Sequence, residues 1–160
     1  MSAMISPEGR AAIEDLLAAI AHATDDDALE SWPDFFTEDG TYRIIPRADH
    51  EAGLPVGILS CQGRGMMRDR VLALRTANIY EAHSYCHVLG RTVLARAADG
   101  TIAARTNFAL YRTQQAGPTT LFAAGKYLDR IAEFPAGPLL AAREVVLESR
   151  RIDILIVFPI

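Results

Sequence analysis

Residues 101–113 read TIAARTNFALYRT, and their side chains alternate: Ile102, Ala104, Thr106, Phe108 and Leu110 fall on one face of an extended chain, Arg105 on the other. A period of two over so long a run predicts a strand with one face in a core. Segments near 84–97, 119–131 and 138–150 alternate in the same way, separated by Asp99-Gly100, by residues 114–118 and by residues 132–137. That spacing favours an antiparallel meander, because parallel strands need long crossover connections between them.

Upstream of residue 84 the period is helical. Ser6-Pro7-Glu8 supplies an N-cap, a first-turn proline and an acid at the positive helix end, and Ile13, Leu16, Leu17 and Ile20 follow at helical spacing. Asp25-Asp26-Asp27 reads as the cap of a short helix carrying Leu29 and Trp32, with Pro33 forcing a break or a fresh start before Phe35 and Phe36. Asp39-Gly40 signals a turn before a strand from Thr41 to Ile45 that Pro46 ends, and residues 46–55 form a polar surface connection. A short strand near Val56 to Cys61 leads through Gly63-Arg64-Gly65 into a third helix with Met67, Val71 and Leu74 on one face. Helices first and strands afterwards predict one α+β domain over residues 1–160, a curved antiparallel sheet with three N-terminal helices on its concave side. No internal repeat interrupts it.

Composition narrows the function classes. Half of the 160 residues are hydrophobic and 22% are charged, which excludes disordered and low-complexity chains. Sixteen basic against twenty acidic residues give a formal charge of −4, which disfavours nucleic acid as a partner. Cys61 and Cys86 form neither a disulfide framework nor a CxxC pattern, and MSAMISPEGR lacks the features of a signal peptide, so reduced cytoplasm is the expected compartment. The longest apolar run, Ile154–Ile160, is too short for a membrane span. The ending RRIDILIVFPI is apolar where a tail normally frays, so it is expected to be buried, either as a last strand of the sheet or against another chain.

Motifs that would carry chemistry are weak. Gly63-x-Gly65-x-x-Arg68 has Arg68 where a dinucleotide fingerprint needs its third glycine, and an antiparallel pattern follows it. His83 and His87 share a strand face but stand about 13 Å apart at 3.3 Å per residue, too far for one metal ion. Cys86 points away from His87 on the pleat, and no GxSxG elbow exists. A pocket acid working with Tyr or His remains open from the residues alone, with Asp34, Tyr42, His83 and His87 as its candidates.

The stretch MRDRVLALRTANIYEAHSYCHVLG, Met67–Gly90, preceded by WPDFFTEDGTYRIIPR at Trp32–Arg47, resembles the small or beta subunit of Rieske non-haem iron aromatic-ring-hydroxylating dioxygenases. The likeness extends to IDILIVFPI at the end and is nearest the terephthalate, anthranilate and salicylate branch. It implies a cone-shaped α+β fold related to nuclear transport factor, scytalone dehydratase and ketosteroid isomerase. It also implies no catalytic residue, cofactor or metal in this chain. The Rieske [2Fe–2S] cluster and the mononuclear iron then belong to a large alpha subunit, three of each chain assemble, and beta–beta contacts leave a homotrimer possible. The family's motif region maps onto Arg68, Arg70, Arg75, Tyr80, Glu81, His83, Tyr85 and His87, which the resemblance assigns to structural and subunit contacts. Ile79-Tyr80 and Cys86-His87 stand where many relatives carry a tryptophan and an arginine-histidine pair. The expected function is therefore a non-catalytic subunit of an oxidoreductase that hydroxylates aromatic rings in their catabolism. The alternatives are a stand-alone isomerase or dehydratase and a homo-oligomeric binding module.

Overall fold

A computed structural model describes residues 4–77, 82–150 and 159–160. Helix α1 spans Pro7–Asp25, and the Ser6 hydroxyl accepts the Gly9 N–H at 3.0 Å, so its start lies where the cap and proline put it. Ile13, Leu16, Leu17 and Ile20 are buried. A 3₁₀ helix, Leu29–Phe35, then runs straight through Pro33 rather than breaking there. One missing N–H bond costs such a short element less than burial of Leu29 and Trp32 returns. The three acids do not cap it: Ala28 occupies that position, and Asp25 closes α1. Helix α2, Arg47–Glu51, lies within the polar surface connection, and α3 covers Gly63–Thr76 with Met67, Val71 and Leu74 inward.

Among the described residues seven strands form one curved sheet: β1 (Phe36–Pro46), β2 (Leu59–Gln62), β3 (His83–Leu89), β4 (Val93–Arg96), β5 (Ile102–Gln114), β6 (Thr119–Ala132) and β7 (Leu139–Leu147). The order is β2-β1-β7-β6-β5-β3, with β4 also on β5. Strands β5, β6 and β7 make the expected antiparallel meander, and β5 alternates as read, with Ile102, Ala104, Thr106, Phe108 and Leu110 buried. The sheet is nevertheless mixed, because β1 joins β7 in parallel. Asp39-Gly40 is no turn. It sits inside β1, where the register jumps from Phe36↔Leu140 to Thr41↔Ala142. A Cβ on Gly40 would come within 2.9 Å of both the Phe36 Cβ and the Thr37 carbonyl oxygen, so this bulge requires glycine.

The segment expected as one strand over 84–97 is two, split after Leu89: the Gly90 N–H bonds the Asn107 carbonyl at 2.7 Å, and Thr92 turns inward to pair its hydroxyl with that of Thr106 at 2.8 Å. The strand foreseen from Val56 begins only at Leu59, and Val56 is 77% exposed. Gly57 presses against β1 so closely that a Cβ there would lie 2.3 Å from the Ile44 carbonyl oxygen. Ile45 and Val146 are both fully buried, and alternation along β1 and β7 turns them away from Ile44 and Val145 of the main core. The main core lies on the helical side, where the Trp32, Phe36 and Tyr42 rings meet edge to face at 5.0–6.3 Å. Of the apolar ending, residues 151–158 lie outside the described residues. Pro159 and Ile160 are buried.

Candidate functional site

The arginines of α3 leave its buried stripe and hold neighbouring elements. Arg75 grips the 3₁₀ helix: its Nε donates to Glu30 Oε1 at 2.8 Å, one Nη to Asp27 Oδ1 at 2.9 Å and the other to the Asp27 carbonyl at 2.9 Å. The hydrogen bonds from Arg75 hold the Glu30 carboxyl below the usual carboxylate range. Arg68 approaches Asp34 at 3.8 Å across the rim of a groove of about 450 Å³ that Pro33, Val71 and Leu72 line. Arg70 lies half-buried on α3. Burial pushes the Cys61 thiol up, and the charge of Arg70 opposes that.

Alternation along β3 turns His83, Tyr85 and His87 to the same side. The Tyr85 ring stands between the two imidazoles, 4.9 Å from His83 and 6.5 Å from His87, so they face it rather than a common ion. Phe122 stacks on Tyr85 at 5.6 Å, with the Arg112 guanidinium 4.6 Å over the Phe122 ring. Burial pushes the Tyr85 hydroxyl up to about 12, against the pull of Arg112. Tyr80 and Glu81 lie outside the described residues.

His87 has a partner that sequence reading missed. Its side chain is 2% exposed, and Nδ1 lies 2.5 Å from Asp25 Oδ1 while its backbone N–H donates to Asp25 Oδ2 at 2.9 Å. Asp25 therefore spends both oxygens on one residue, tying the last turn of α1 to an N–H on the outer edge of β3. A second missed pair crosses β6 and β7, where Arg143 meets Asp129 in a two-bond fork at 2.9 and 2.8 Å, with side chains 3% and 0% exposed. The Arg143 guanidinium also sits 4.0 Å over the Tyr127 ring, which stacks on Phe108 at 4.3 Å. Burial opposes the charge on Arg143, yet the Asp129 carboxylate outweighs it and holds the guanidinium more firmly protonated than usual.

The four residues read as a possible acid and Tyr/His set are not brought together. Asp34 is 68% exposed on the groove rim, whereas Tyr42 is buried and exchanges two hydrogen bonds with Ile160. His87 is engaged by Asp25.

A family model described as the ring hydroxylating beta subunit matches residues 20–154. The chain belongs to that family. It is 40% identical over 136 residues to the anthranilate 1,2-dioxygenase small subunit of Burkholderia cepacia, covering 85% of this chain and 84% of that one. It is 38% identical over 143 residues to a beta subunit of the terephthalate 1,2-dioxygenase terminal oxygenase component of Comamonas sp, covering 89% and 93%. A crystal structure assigned as an aromatic-ring-hydroxylating dioxygenase beta subunit from Novosphingobium aromaticivorans superposes with a TM-score of 0.85 at 35% identity, covering 94% and 96%. The cone fold extends to a structure assigned as a scytalone dehydratase, at 14% identity and a TM-score of 0.66, a likeness of fold alone.

The ring-hydroxylating family implies a Rieske cluster and a mononuclear iron, and the donors among the described residues do not fit either. Cys61 is buried on β2 and Cys86 is exposed on β3, while His87 is bound to Asp25 and His50 to Glu144. Among the described residues no three His, Cys, Asp or Glu side chains are grouped to hold a metal ion, and no helix is long and apolar enough to cross a membrane.

Proposed function

We propose that this beta subunit acts as the scaffold of an aromatic-ring-hydroxylating terminal oxygenase, one part of an oxidoreductase whose redox groups and substrate pocket lie in a large alpha subunit. The family match over residues 20–154 carries the reading. The use of Asp25, His87, Asp129 and Arg143 as internal fasteners supports it. In this reading residues 1–160 form a single domain and three copies join three alpha chains through beta–beta and alpha–beta contacts. The alpha chain carries the Rieske [2Fe–2S] cluster and the mononuclear iron. The assembly works in the cytoplasm in the catabolism of aromatic compounds, and the anthranilate and terephthalate enzymes among the relatives point to aromatic carboxylates as substrates. Arg68, Arg70, Arg75, His83, Tyr85 and His87 belong in this reading to the motif region that joins helix to sheet and borders the subunit contacts, and Tyr80 and Glu81 are assigned to subunit contacts by the family resemblance alone.

Co-expression with a large subunit bearing Rieske motifs, followed by native mass measurement, tests this. Equal numbers of both chains in one complex, with iron only where the large chain is present, are expected. Stoichiometric iron in the purified beta chain, or arene hydroxylation by it alone, would overturn the proposal.

A further inference from the structure

Two rows of side chains cross the face of the sheet opposite the main core. Strand register sets Arg130, Ala142, Thr41 and Gln62 side by side across β6, β7, β1 and β2, and Leu128, Glu144, Arg43 and Ser60 in the next row. Between the rows Tyr42, Arg143 and Asp129 are buried toward the other side. Together with Pro55 the two rows line a cavity of about 450 Å³. The row through Glu144 is spent on itself. Arg43 donates through Nε to Glu144 at 3.0 Å and through one Nη to the Pro55 carbonyl at 3.0 Å, while His50 Nδ1 meets the other oxygen of Glu144. The row through Ala142 is not. No hydrogen bond within the described residues takes the side chains of Thr41 or Gln62, nor that of Ser60 beside them. Arg130 is 58% exposed, and its ion pair with Asp99 stretches to 3.8 Å. Because Arg43 offsets Glu144, Arg130 sets the sign of the cavity, and it favours an anion. Neighbouring strands lie about 4.8 Å apart, which puts Thr41 about 10 Å and Gln62 about 14 Å from Arg130. Between these polar ends Ala142 makes a short apolar floor, with Leu128 on its flank.

We propose that this cavity binds a free, rod-shaped organic acid. Its carboxylate meets the Arg130 guanidinium, its flat apolar body covers Ala142, and a hydrogen-bonding group at its far end is met by Thr41, Ser60 and Gln62. An apolar middle with a few placed polar groups is how small-molecule sites are built, and a benzoate with a polar group para to its carboxylate has the matching shape. The cavity needs no partner chain, so the proposal stands apart from the scaffold reading.

Calorimetric titration of the full-length chain with 4-carbamoylbenzoate is expected to show one saturable site with a Kd below about 1 mM. Amide resonances of Thr41 and Ala142 are expected to shift along the same titration, which places the probe. Arg130→Gln removes the charge and is expected to weaken binding by about tenfold or more, as is exchange of the probe for the neutral terephthalamide. Ala142→Leu fills the floor and is expected to abolish binding. Arg105→Gln makes the same change of charge on the neighbouring strand, outside the cavity, and is expected to leave binding within about twofold. N-acetyl-L-glutamate amide carries a carboxylate without the rigid body and is expected to bind about tenfold more weakly or less. Thermal melts establish that each variant is folded; should Ala142→Leu not fold, Thr41→Val keeps the volume, removes the far hydroxyl and is expected to weaken binding by about threefold or more. Four results overturn the proposal: no saturable binding to the wild-type chain, equal losses from Arg130→Gln and Arg105→Gln, undiminished binding to a folded Ala142→Leu or its Thr41→Val substitute, or glutamate amide binding as tightly as the rigid acid.

Discussion

Removing the Asp129 carboxylate leaves the Arg143 guanidinium charged and sealed from water. Both side chains are essentially inaccessible and joined by two bonds at 2.9 and 2.8 Å, so no solvent shell is available to replace the lost partner. Breaking such a buried pair from one side costs about 3–5 kcal/mol, a large share of the roughly 5–15 kcal/mol that keeps a domain folded. At about 2–4 °C per kcal/mol for a chain of this size, Asp129→Ala should melt roughly 6–20 °C below wild type. The double variant Asp129→Leu/Arg143→Met removes both charges at similar volume, and it should recover much of that loss. It should not recover all, because the guanidinium also packs at 4.0 Å on Tyr127, a contact worth about 0.5–2 kcal/mol. Urea and thermal melts followed by circular dichroism supply the double-mutant cycle. If Asp129→Ala melts within about 2 °C of wild type, or the double variant is less stable than either single one, the pair does not fasten β6 to β7 as argued.

Three further outcomes follow from the same geometry. Tyr85 is held neutral up to about 12 in the fold but ionises near 10 when unfolded, so it favours the unfolded chain increasingly as pH rises from 10 to 12. Tyr85→Phe should flatten stability against pH in that window, by an amount of about 2–3 kcal/mol at its alkaline end. Glu30 has the opposite sign: its carboxyl is depressed by Arg75, so its contribution is present above about 4.5 and disappears as pH falls through the lower folded value. Glu30→Gln should therefore reduce the acid-side slope of the melting temperature below pH 4.5, and added salt should weaken the wild-type effect. Gly57→Ala should destabilise clearly, by more than about 1 kcal/mol in urea melts, because the added carbon meets the backbone of Ile44 rather than a side chain that can swing away.

Local signals in the sequence were sufficient where the physics is local. Ser6 and Pro7 fixed the start of α1, the spacing of Met67, Val71 and Leu74 fixed the buried face of α3, and strict alternation fixed the inner face of β5. Pairings over long separations were not legible: nothing near β1 announces a parallel partner about a hundred residues later. Asp39-Gly40 misled because glycine serves a bulge as well as a turn, and only the neighbouring strand decides which. The Asp129–Arg143 pair had an available signal. Opposite charges stand at inward positions of two predicted strands, equally far from Ala136 in the connection between them, so a simple hairpin register pairs them. Asp25 had none, since a carboxylate at a helix end looks the same whether it caps or reaches a strand edge.

Polar groups inside the cone carry the structural case for a scaffold. General acid–base chemistry needs a group within hydrogen-bond reach of a substrate and free to change its bonding as protons move. Here His87 and Asp25 are bonded to each other, and Asp25 also accepts the β3 backbone N–H. The tyrosine in the centre is bonded to Ile160, and the innermost carboxylate is locked to an arginine. These bonds join separate elements: α1 to β3 and β1 to Ile160 over long stretches of chain, and β6 to its hairpin neighbour β7. Buried directional bonds of that kind penalise any other packing of the same hydrophobic set, because a rearranged core would leave a charge or a donor unpaired. A subunit that must present one fixed surface to partner chains gains from this more than from an open pocket, since a pre-organised interface loses less entropy on association.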